Sequence, residues 1–317
     1  MPLRRAVVLC ALLPSTAAVA QRGEPYTPIV LLLPAGARTL ATGNVGVAGR
    51  DDDVLFFNPA QLAVARGFSA SGERYSPTAS GGSLSAVTRF SKGGIGIGMR
   101  MADYRVAHGE LPVDRETMLD AGGNPATSIE ASVGLAEVYK GVRGGIAAKY
   151  VEDDAGDVRV SRAAFDVGVS KDLMRFYTVG LAVQNLATDI AVPCSETRRC
   201  GVTPGGPAGG TTSLFLPLRT TLGVAGAKPV GALDVAGTAA VSLLRGTFVV
   251  PAGGAEVGYS WLDGYSVAVR AGGRRPLPGE RAVTAGAGLT MDRLSIDYAL
   301  ETLSGGRIGH RIGLRVR

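Results

Sequence analysis

Few residues of this chain have the types and spacing that catalysis or metal binding requires. Its two histidines, His108 and His310, lie far apart. His310 and Ser304 form a Ser/His pair at short spacing, but a hydrolase also needs a polar partner that orients the histidine, so a polar residue at the rim is the favoured role of His310. The sequence around His108 resembles the H-x-E of zinc deaminases without the matching P-C-x-x-C. We therefore predict no catalytic residue, no metal site and no cofactor, and a protein that is not an enzyme.

Two cysteines, Cys194 and Cys200, are separated by five residues in CSETRRC. A metal site would need further Cys or His ligands close by. The remaining cysteine, Cys10, lies in a predicted export signal, so the other two form an even pair in an exported chain. Such a pair favours a disulfide that closes a small loop, with free thiols as the alternative.

Two other motifs could bind ligands. GIGIG at residues 94–98 has the glycines of a nucleotide loop, but no helix follows, and a period of two is typical of a strand. Asp51–Asp53 could bind calcium but lacks a full loop of oxygen ligands. Helix capping is the favoured role of these aspartates.

The start of the chain has the pattern of a signal peptide, residues 1–20. Two arginines precede an apolar core at residues 6–13, and Ala18–Ala20 form an A-x-A-like cleavage site. The apolar core is too short to span a bilayer as a helix. The sequence thus predicts export and a mature chain that begins near Gln21.

The composition is too apolar for most soluble domains. Hydrophobic residues make up 46% and charged residues 19% of the chain, whereas soluble domains carry about 25% charged residues. After the signal peptide no run of about 20 apolar residues remains for a membrane helix. The net charge of +6 comes from scattered basic residues, so we predict no nucleic-acid partner. A transmembrane β-barrel fits these observations.

The stretch 67–317 alternates apolar and polar residues in short blocks separated by turns. In LSIDYALE (residues 294–301) the polar Ser295, Asp297 and Glu301 alternate with apolar residues, and in HRIGLRVR (residues 310–317) Arg311 and Arg315 do the same. This period of two predicts strands with two different faces. We predict about fourteen strands, at residues 67–76, 82–90, 94–103, 127–139, 142–152, 162–171, 176–186, 219–227, 232–243, 253–261, 265–273, 282–290, 293–301 and 308–316.

The connections between these strands alternate between short and long. Short turns such as KG and MD are followed by longer loops, at residues 104–126, 153–161, 187–218, 244–252 and 274–281. Outer-membrane barrels have short periplasmic turns and long extracellular loops. The predicted fold is therefore an all-β transmembrane protein, an antiparallel up-and-down barrel in the bacterial outer membrane, and a soluble sandwich is the alternative.

Alternation also assigns a face to each strand residue. Apolar residues such as Ile97, Val269 and Ile312 are placed outward, because a charge that faces lipid costs about 2–4 kcal/mol at the midplane. Asp297 and Glu301 beside Arg311 and Arg315 predict a ladder of lumenal salt bridges, with wall reinforcement favoured over substrate selectivity. The charged residues placed in the lumen are Arg100, Lys149, Asp166, Arg270, Asp297, Glu301, Arg311 and Arg315.

Residues 21–66 precede the strands and lack their alternation. Prolines favour an extended course for residues 21–34, and Asn58-Pro59 is a helix-start or turn signal before a short apolar helical patch. We interpret residues 21–66 as an N-terminal segment with a small hatch or plug. The many inward glycines of the strands leave space beside the wall for such a segment.

The stretch GARTLATGNVGVAGRDDDVLFFNPAQLA (residues 36–63) resembles the opening motif of the PorV/PorQ family, relatives of the FadL-type transporters. That motif pairs a glycine-rich segment with an acidic spot and Asn-Pro-Ala, here residues 58–60. The segments AFDVGVSKDL and VGLAVQNLA and the two terminal strands also resemble this family. The resemblance implies a barrel of about fourteen strands with an internal hatch.

The resemblance also implies two alternative functions. FadL-type members pass hydrophobic molecules through a lumenal site and out through an opening in the wall, and the corresponding ligand-binding residues here are Phe56, Phe57, Asn58, Pro59 and Leu62. These side chains could equally pack the plug against the wall. PorV-type members are partners of type IX secretion that hold exported proteins at the surface. The predicted partners are thus outer-membrane lipids with a small hydrophobic ligand, or secreted proteins and secretion machinery.

Overall fold

The computed structural model describes residues 28–51, 53–106, 115–119, 122–155, 159–174, 176–188, 190–193, 211–214, 216–244 and 248–317. The predicted signal peptide (residues 1–20), His108 and the predicted disulfide between Cys194 and Cys200 lie outside these residues. No helix within the described ranges has the length and apolar character of a membrane span.

Fourteen strands form one closed ring. Its members are β1 (Gly67–Ser76), β2 (Ala79–Phe90), β3 (Gly93–Val106), β4 (Asn124–Tyr139), β5 (Val142–Asp154), β6 (Arg159–Leu173), β7 (Tyr177–Leu186), β10 (Arg219–Val230), β11 (Leu233–Leu244), β12 (Phe248–Leu262), β13 (Tyr265–Arg274), β14 (Glu280–Met291), β15 (Leu294–Leu303) and β16 (Ile308–Val316). Each strand pairs antiparallel with its neighbours, and β1 closes the ring against β16, with Glu73 opposite Arg311. The predicted fold class is confirmed.

Two further strands, β8 (Ile190–Pro193) and β9 (Thr211–Leu214), form a separate hairpin between β7 and β10. The sequence predicted a loop without strands at this position. The order of the ring is unaffected, since β7 pairs directly with β10.

The predicted lengths of several outer loops are wrong. At this end the strands extend beyond the residues that show apolar alternation. The connections between them are therefore shorter than predicted, at residues 155–158, 245–247, 275–279 and 304–307. Polar residues extend the ladder at these ends: Asp154 lies opposite Arg159 in the pairing of β5 with β6. Of the predicted long connections, residues 107–123 and 187–218 remain long, and they mark the extracellular end.

The outer face of the ring is apolar. The side chains of Ile97, Val269 and Ile312 are 58%, 64% and 58% exposed, and they face outward as predicted. Exposed aromatic residues lie near both ends of this belt, at the short-turn end Phe90, Tyr139, Tyr177, Trp261 and Tyr265, and toward the loop end Tyr150, Phe165 and Tyr298. An apolar band with aromatic residues at both edges is the outer surface of a transmembrane barrel, and the protein is located in the outer membrane.

The N-terminal segment (residues 28–66) contains α1 (Ile29–Leu32), α2 (Ala37–Ala41) and two 3₁₀ turns, Val54–Phe56 and Pro59–Ala63. Turn Pro59–Ala63 contacts β3 to β6, whereas α2 contacts β13 to β16 on the other side of the ring. The segment therefore lies inside the barrel.

Helix α1 contradicts the extended course predicted for residues 21–34. Pro28 occupies the position before its first residue, where proline does no harm because no intrahelical hydrogen bond requires its nitrogen. The predicted helix start at Asn58 is confirmed, since its side-chain oxygen accepts a hydrogen bond from the Ala60 nitrogen at 3.0 Å.

Helix α3 (Arg115–Leu119) lies in the long connection between β3 and β4. Its Met118 is completely buried in a cluster with Ile29 of α1 and Tyr75, Tyr104 and Leu303 of the wall. Helices α1 and α3 thus pack together at the loop end of the barrel.

Glycines on the inner wall make room for the N-terminal segment. A Cβ on Gly94 would lie 2.0 Å from the Leu62 backbone oxygen, and one on Gly145 would lie 2.4 Å from the Pro59 backbone. A Cβ on Gly272 would lie 2.2 Å from the Gly43 nitrogen on the opposite wall. Real Cβ atoms do not approach other atoms so closely, so glycine is required at these contacts. The GIGIG motif is part of this contact surface.

Candidate functional site

The predicted hatch residues are packed against the wall. Leu62 and Asn58 are completely buried, and Pro59 packs on Gly145. The Phe56 ring lies under the Arg100 guanidinium, 4.9 Å from its centroid. Phe57 is half-buried and borders a cavity of about 40 Å³, which holds no more than a few water molecules. Their role in binding a ligand remains a prediction.

A buried network of four charges runs across β3 to β6 on the inner face of the wall, beside the N-terminal segment. Glu130 pairs with Arg100, and Lys149 lies 2.8 Å from Asp166 and 3.6 Å from Glu130. The Arg100 Nη1 also donates a hydrogen bond to the Leu33 backbone oxygen at 2.9 Å. Buried charges are costly unless they are paired in this way. The network therefore neutralises this face of the lumen and holds the N-terminal segment to it.

A second network lies at the loop end. Arg115 of α3 contacts Glu280 at 2.9 Å and Glu301 at 2.5 Å, and Arg274 contacts both carboxylates at 2.9 Å. The Arg115 guanidinium also lies 5.0 Å from the centroid of the Tyr75 ring. Burial alone would lower the pKa of Arg115, but these carboxylates outweigh it and raise the pKa above its ordinary value. Arg115 thus stays charged and fixes α3 in the mouth of the barrel.

The predicted ladder between β15 and β16 is only partly correct. Arg315 pairs with Asp297 at 2.8 Å. Arg311 instead contacts Glu73 of β1, with its Nε 2.7 Å from the carboxylate, because Glu73 lies directly opposite it across the closing strand pair. Glu301 bonds to Arg115 and Arg274. Strand spacing alone therefore does not identify the partners.

A third network lies at the short-turn end and ties α2 to the wall. Asp51 accepts hydrogen bonds from Arg38 at 3.0 Å, Arg315 at 2.9 Å and Arg317 at 2.6 Å. Arg38 also donates to Glu256 of β12 at 2.8 Å. Burial alone would raise the pKa of the Asp51 carboxyl, but the guanidinium groups of Arg38 and Arg315 outweigh it and hold the pKa below its usual range. Asp51 thus stays ionised and joins the segment to β16 and the C-terminal residue of the chain.

The capping role predicted for Asp51–Asp53 is wrong for the two described residues. Asp53 precedes the turn Val54–Phe56, but its side chain makes no capping hydrogen bond there. Its carboxylate instead accepts a hydrogen bond from the Thr39 hydroxyl at 2.7 Å. Asp51 therefore forms ion pairs with residues far away in the chain, and Asp53 forms a contact within the segment, and neither caps the helix start beside it.

A cavity of about 510 Å³ lies between the N-terminal segment and strands β10 to β12, toward the short-turn end. Its wall side is formed by small residues, among them Ala225, Ala236 and Gly254, and the segment contributes Thr42 and Val45. Charged residues also line it, namely Arg38, Asp51, Glu256 and Arg317 of the third network together with Arg50, Asp53 and Arg66. The volume is within the range of small-molecule sites.

A second concavity, of about 390 Å³, lies along the same stretch of wall. It is lined by outward residues such as Val224 and Val235 together with residues that also line the lumenal cavity: Phe176, Gly226, Ala227, Gly237, Thr238 and Gly254. The strand residues that line both concavities are glycine, alanine and threonine. At these positions the lumen is separated from the outer face only by the backbone and small side chains. Strands β10 and β11 remain fully paired at this point.

Sequence reasoning missed Glu130 and Glu256, which are partners of the predicted lumenal residues Arg100, Lys149 and Arg270. It also missed Glu280, which pairs with Arg115 and Arg274. Glu130 alternates with apolar Ile129 and Ala131, so its inward position was readable from the period of two. Arg115 carried no such signal because it lies on a short helix within a loop, outside any strand.

The fold is shared with solved channels. No family model matches the sequence, and no curated protein matches it by sequence. The toluene transporter TodX of Pseudomonas putida is 12% identical, with a TM-score of 0.58 over 92% of this chain and 98% of TodX. The toluene transporter TbuX of Ralstonia pickettii is 14% identical, with a TM-score of 0.56 over 91% and 100%. A FadL homologue of Pseudomonas aeruginosa is 12% identical, with a TM-score of 0.54 over 89% and 97%. At these identities the likeness establishes a shared FadL-type fold, and membership of the PorV/PorQ family remains a prediction.

Proposed function

We propose that this protein is a non-catalytic outer-membrane channel that binds small hydrophobic molecules and passes them across the membrane, with the N-terminal segment as its hatch. The observation that carries the proposal is a closed barrel whose lumen is occupied by its own N-terminal segment. Its fold is that of channels described as transporters of toluene. An open porin would instead need a wide, water-filled lumen.

The lumenal cavity is the proposed binding site. Its volume of about 510 Å³ suits one small apolar molecule, and Val45, Ala225 and Ala236 offer apolar contacts. Arg38, Asp51 and Glu256 in its lining are paired with one another, so an uncharged ligand need not displace a counter-ion from them. The stretch between the two concavities is the place where a ligand leaves the lumen for the bilayer, in keeping with the sideways exit that the FadL resemblance implies.

Passage from the loop end requires the N-terminal segment to shift. Helices α1 and α3 fill that end around Met118 and Tyr75, and the cavity beside Phe57 is too small for any hydrocarbon. The side of the segment on β12 to β16 is held mainly by ion pairs and small residues, whereas Leu55 and Leu62 fix the other side by apolar packing. We infer that the region around α2 is the part that moves.

The test is uptake of N-phenyl-naphthylamine, an apolar dye that an intact outer membrane excludes. Cells that produce the full chain should take up the dye at least several-fold faster than cells with an empty vector. Ala236→Trp should abolish this gain because the side chain fills the cavity. Val241→Trp adds the same side chain to the same strand on the outer face, where Val241 is 44% exposed, and should leave uptake unchanged. Uptake no faster than in empty-vector cells would contradict the proposal.

The alternative function, a surface partner of secreted proteins, stays a prediction. It depends on the connection 187–218, of which residues 194–210 lie outside the described part of the chain. Nothing in the described contacts favours it over the channel.

A further inference from the structure

Two basic residues face outward on adjacent strands at the loop end of the barrel. Arg74 of β1 lies directly opposite His310 of β16, and both side chains are exposed. Strand β1 ends at Ser76 and β16 begins at Ile308, so the pair lies at the extracellular edge of the apolar belt. A cation on the outer face of a barrel is tolerated there because the edge meets the lipid headgroups.

A third polar group orients the imidazole of His310. The Tyr298 hydroxyl of β15 lies 2.6 Å from His310 Nδ1. When Tyr298 donates this hydrogen bond, the imidazole proton is on Nε2, on the opposite side of the ring from Tyr298. The Arg74 guanidinium makes one long hydrogen bond, 3.3 Å to the Pro77 backbone oxygen. The three residues together present a guanidinium and an imidazole N–H on one outward patch.

No carboxylate among the described residues pairs with either side chain. By contrast, the outward Arg159 at the same end contacts Glu152 at 2.6 Å. The outward Asp103 is on β3, with Ser80 of β2 between it and Arg74 in the pairing. The patch is therefore a cationic site whose counter-ion has to come from outside the chain.

An apolar path leads down the wall from this patch. On β1 the outward residues that follow Arg74 are Gly72 and Ala70, and a Cβ on Gly72 would meet nothing within 4 Å. Gly72 lies between Gly82 of β2 and Ile312 of β16, so small residues leave a furrow beside larger ones. Below the furrow, Ala70 lies opposite Leu84, which with Phe68, Met99 and Tyr150 lines a concavity of about 650 Å³ on the outer face.

We propose that this surface binds a phosphorylated lipid of the outer leaflet, namely the lipid A part of lipopolysaccharide. Arg74 and His310 bind its phosphate through charge-assisted hydrogen bonds, and an acyl chain lies in the furrow at Gly72 and in the concavity below. The long connections identify this end as extracellular, so the leaflet that contacts the patch is the outer one. The proposal is independent of what passes through the lumen.

The test is native mass spectrometry of the purified full chain in detergent, titrated with diphosphorylated lipid A. Arg74→Gln with His310→Gln should weaken binding at least tenfold, since both charge-assisted hydrogen bonds are lost. Gly72→Leu should weaken it several-fold by filling the furrow without a change in charge. Arg307→Gln removes an exposed charge at the same end and should bind as the unaltered chain does. Heat-dependent migration on gels verifies that each variant forms its barrel.

Four results would overturn the proposal. The double variant could bind lipid A within twofold of the unaltered chain, or Arg307→Gln could weaken binding equally, which would indicate general charge attraction. Dephosphorylated lipid A could bind as tightly as the phosphorylated form. Inorganic phosphate alone could compete with lipid A at equal concentration, which would identify a free phosphate site and remove the role of the acyl chains.

Discussion

At the scale of single residues, glycines determine where the N-terminal segment can lie. A side chain of any size at Gly94, Gly145 or Gly272 would overlap with the segment's backbone. Glycine in a strand interior weakens the strand. At these positions the strands are therefore less stable by themselves, but the segment can contact their backbone. The inner surface of the barrel is therefore shaped for this segment.

Gly145→Ala tests this contact. Its Cβ would meet the Pro59 and Ala60 backbone, so we expect a loss of about 1–3 kcal/mol in the free energy of unfolding and faster proteolysis of the N-terminal segment. The adjacent Gly144 has nothing within 4 Å of its Cβ position, so Gly144→Ala should leave both quantities unchanged. Urea unfolding measures the change in free energy, and limited trypsin digestion measures the rate of proteolysis. If the two variants gave the same values, the segment would not lie against Gly145.

The inward direction of most charged residues was readable from the sequence, but their partners were not. The period of two places Arg311 in the lumen without indicating that Glu73, far away in the chain, lies beside it. That neighbour exists only because β1 and β16 close the ring. The partners of Asp51 could not be identified from the sequence either, because they come from α2, β16 and the end of the chain.

At the scale of elements, the strands were predictable and their ends were not. Apolar alternation follows the membrane belt, so all fourteen ring strands were found. Ladders such as that of Asp154 with Arg159 continue above the belt, where both faces are polar and the pattern is lost. The short helix α1 was missed because the prolines on both sides of it favour an extended chain.

Helix α3 is the element whose position depends most on one side chain. Replacing Arg115 with alanine removes a buried cation from Glu280 and Glu301, which costs about 3 kcal/mol, and should release α3 from the mouth. The reporter is Met118→Cys in a parent chain with Cys194 and Cys200 changed to serine. Addition of Arg115→Ala should make this thiol react with a membrane-impermeant maleimide at least tenfold faster than it does in the parent.

The neighbouring Glu116 has an exposed side chain and supplies the control. Glu116→Gln with the same reporter should give the slow labelling of the parent. Slow labelling with Arg115→Ala as well would mean that apolar packing around Met118 holds the helix without the ion pairs.

At the scale of the whole molecule, the barrel combines an apolar outer belt with a lumen of paired charges and a folded segment. Composition and alternation predicted the barrel and the membrane, because those follow from burial against lipid. The path of the N-terminal segment could not be predicted in detail, since it depends on contacts with many strands at once. The signal peptide and the disulfide remain predictions from the sequence.

In the proposed transport, the N-terminal segment must move for an apolar molecule to pass. A Cβ on Gly313 of β16 would lie 3.2 Å from the Ala37 Cβ of α2, close to the separation in a disulfide. Ala37→Cys with Gly313→Cys therefore locks α2 to the wall. Ser69→Cys with Ser85→Cys joins two wall strands whose hydroxyls are 2.8 Å apart and leaves the segment free.

The decisive measurement is dye uptake by cells with each pair, before and after reduction, with Cys194 and Cys200 replaced by serine. The locked segment should reduce uptake to the level of empty-vector cells, and reduction should restore it. The wall pair should transport at the normal rate in both states. Full uptake with the segment locked and oxidised would contradict the claim that the hatch opens.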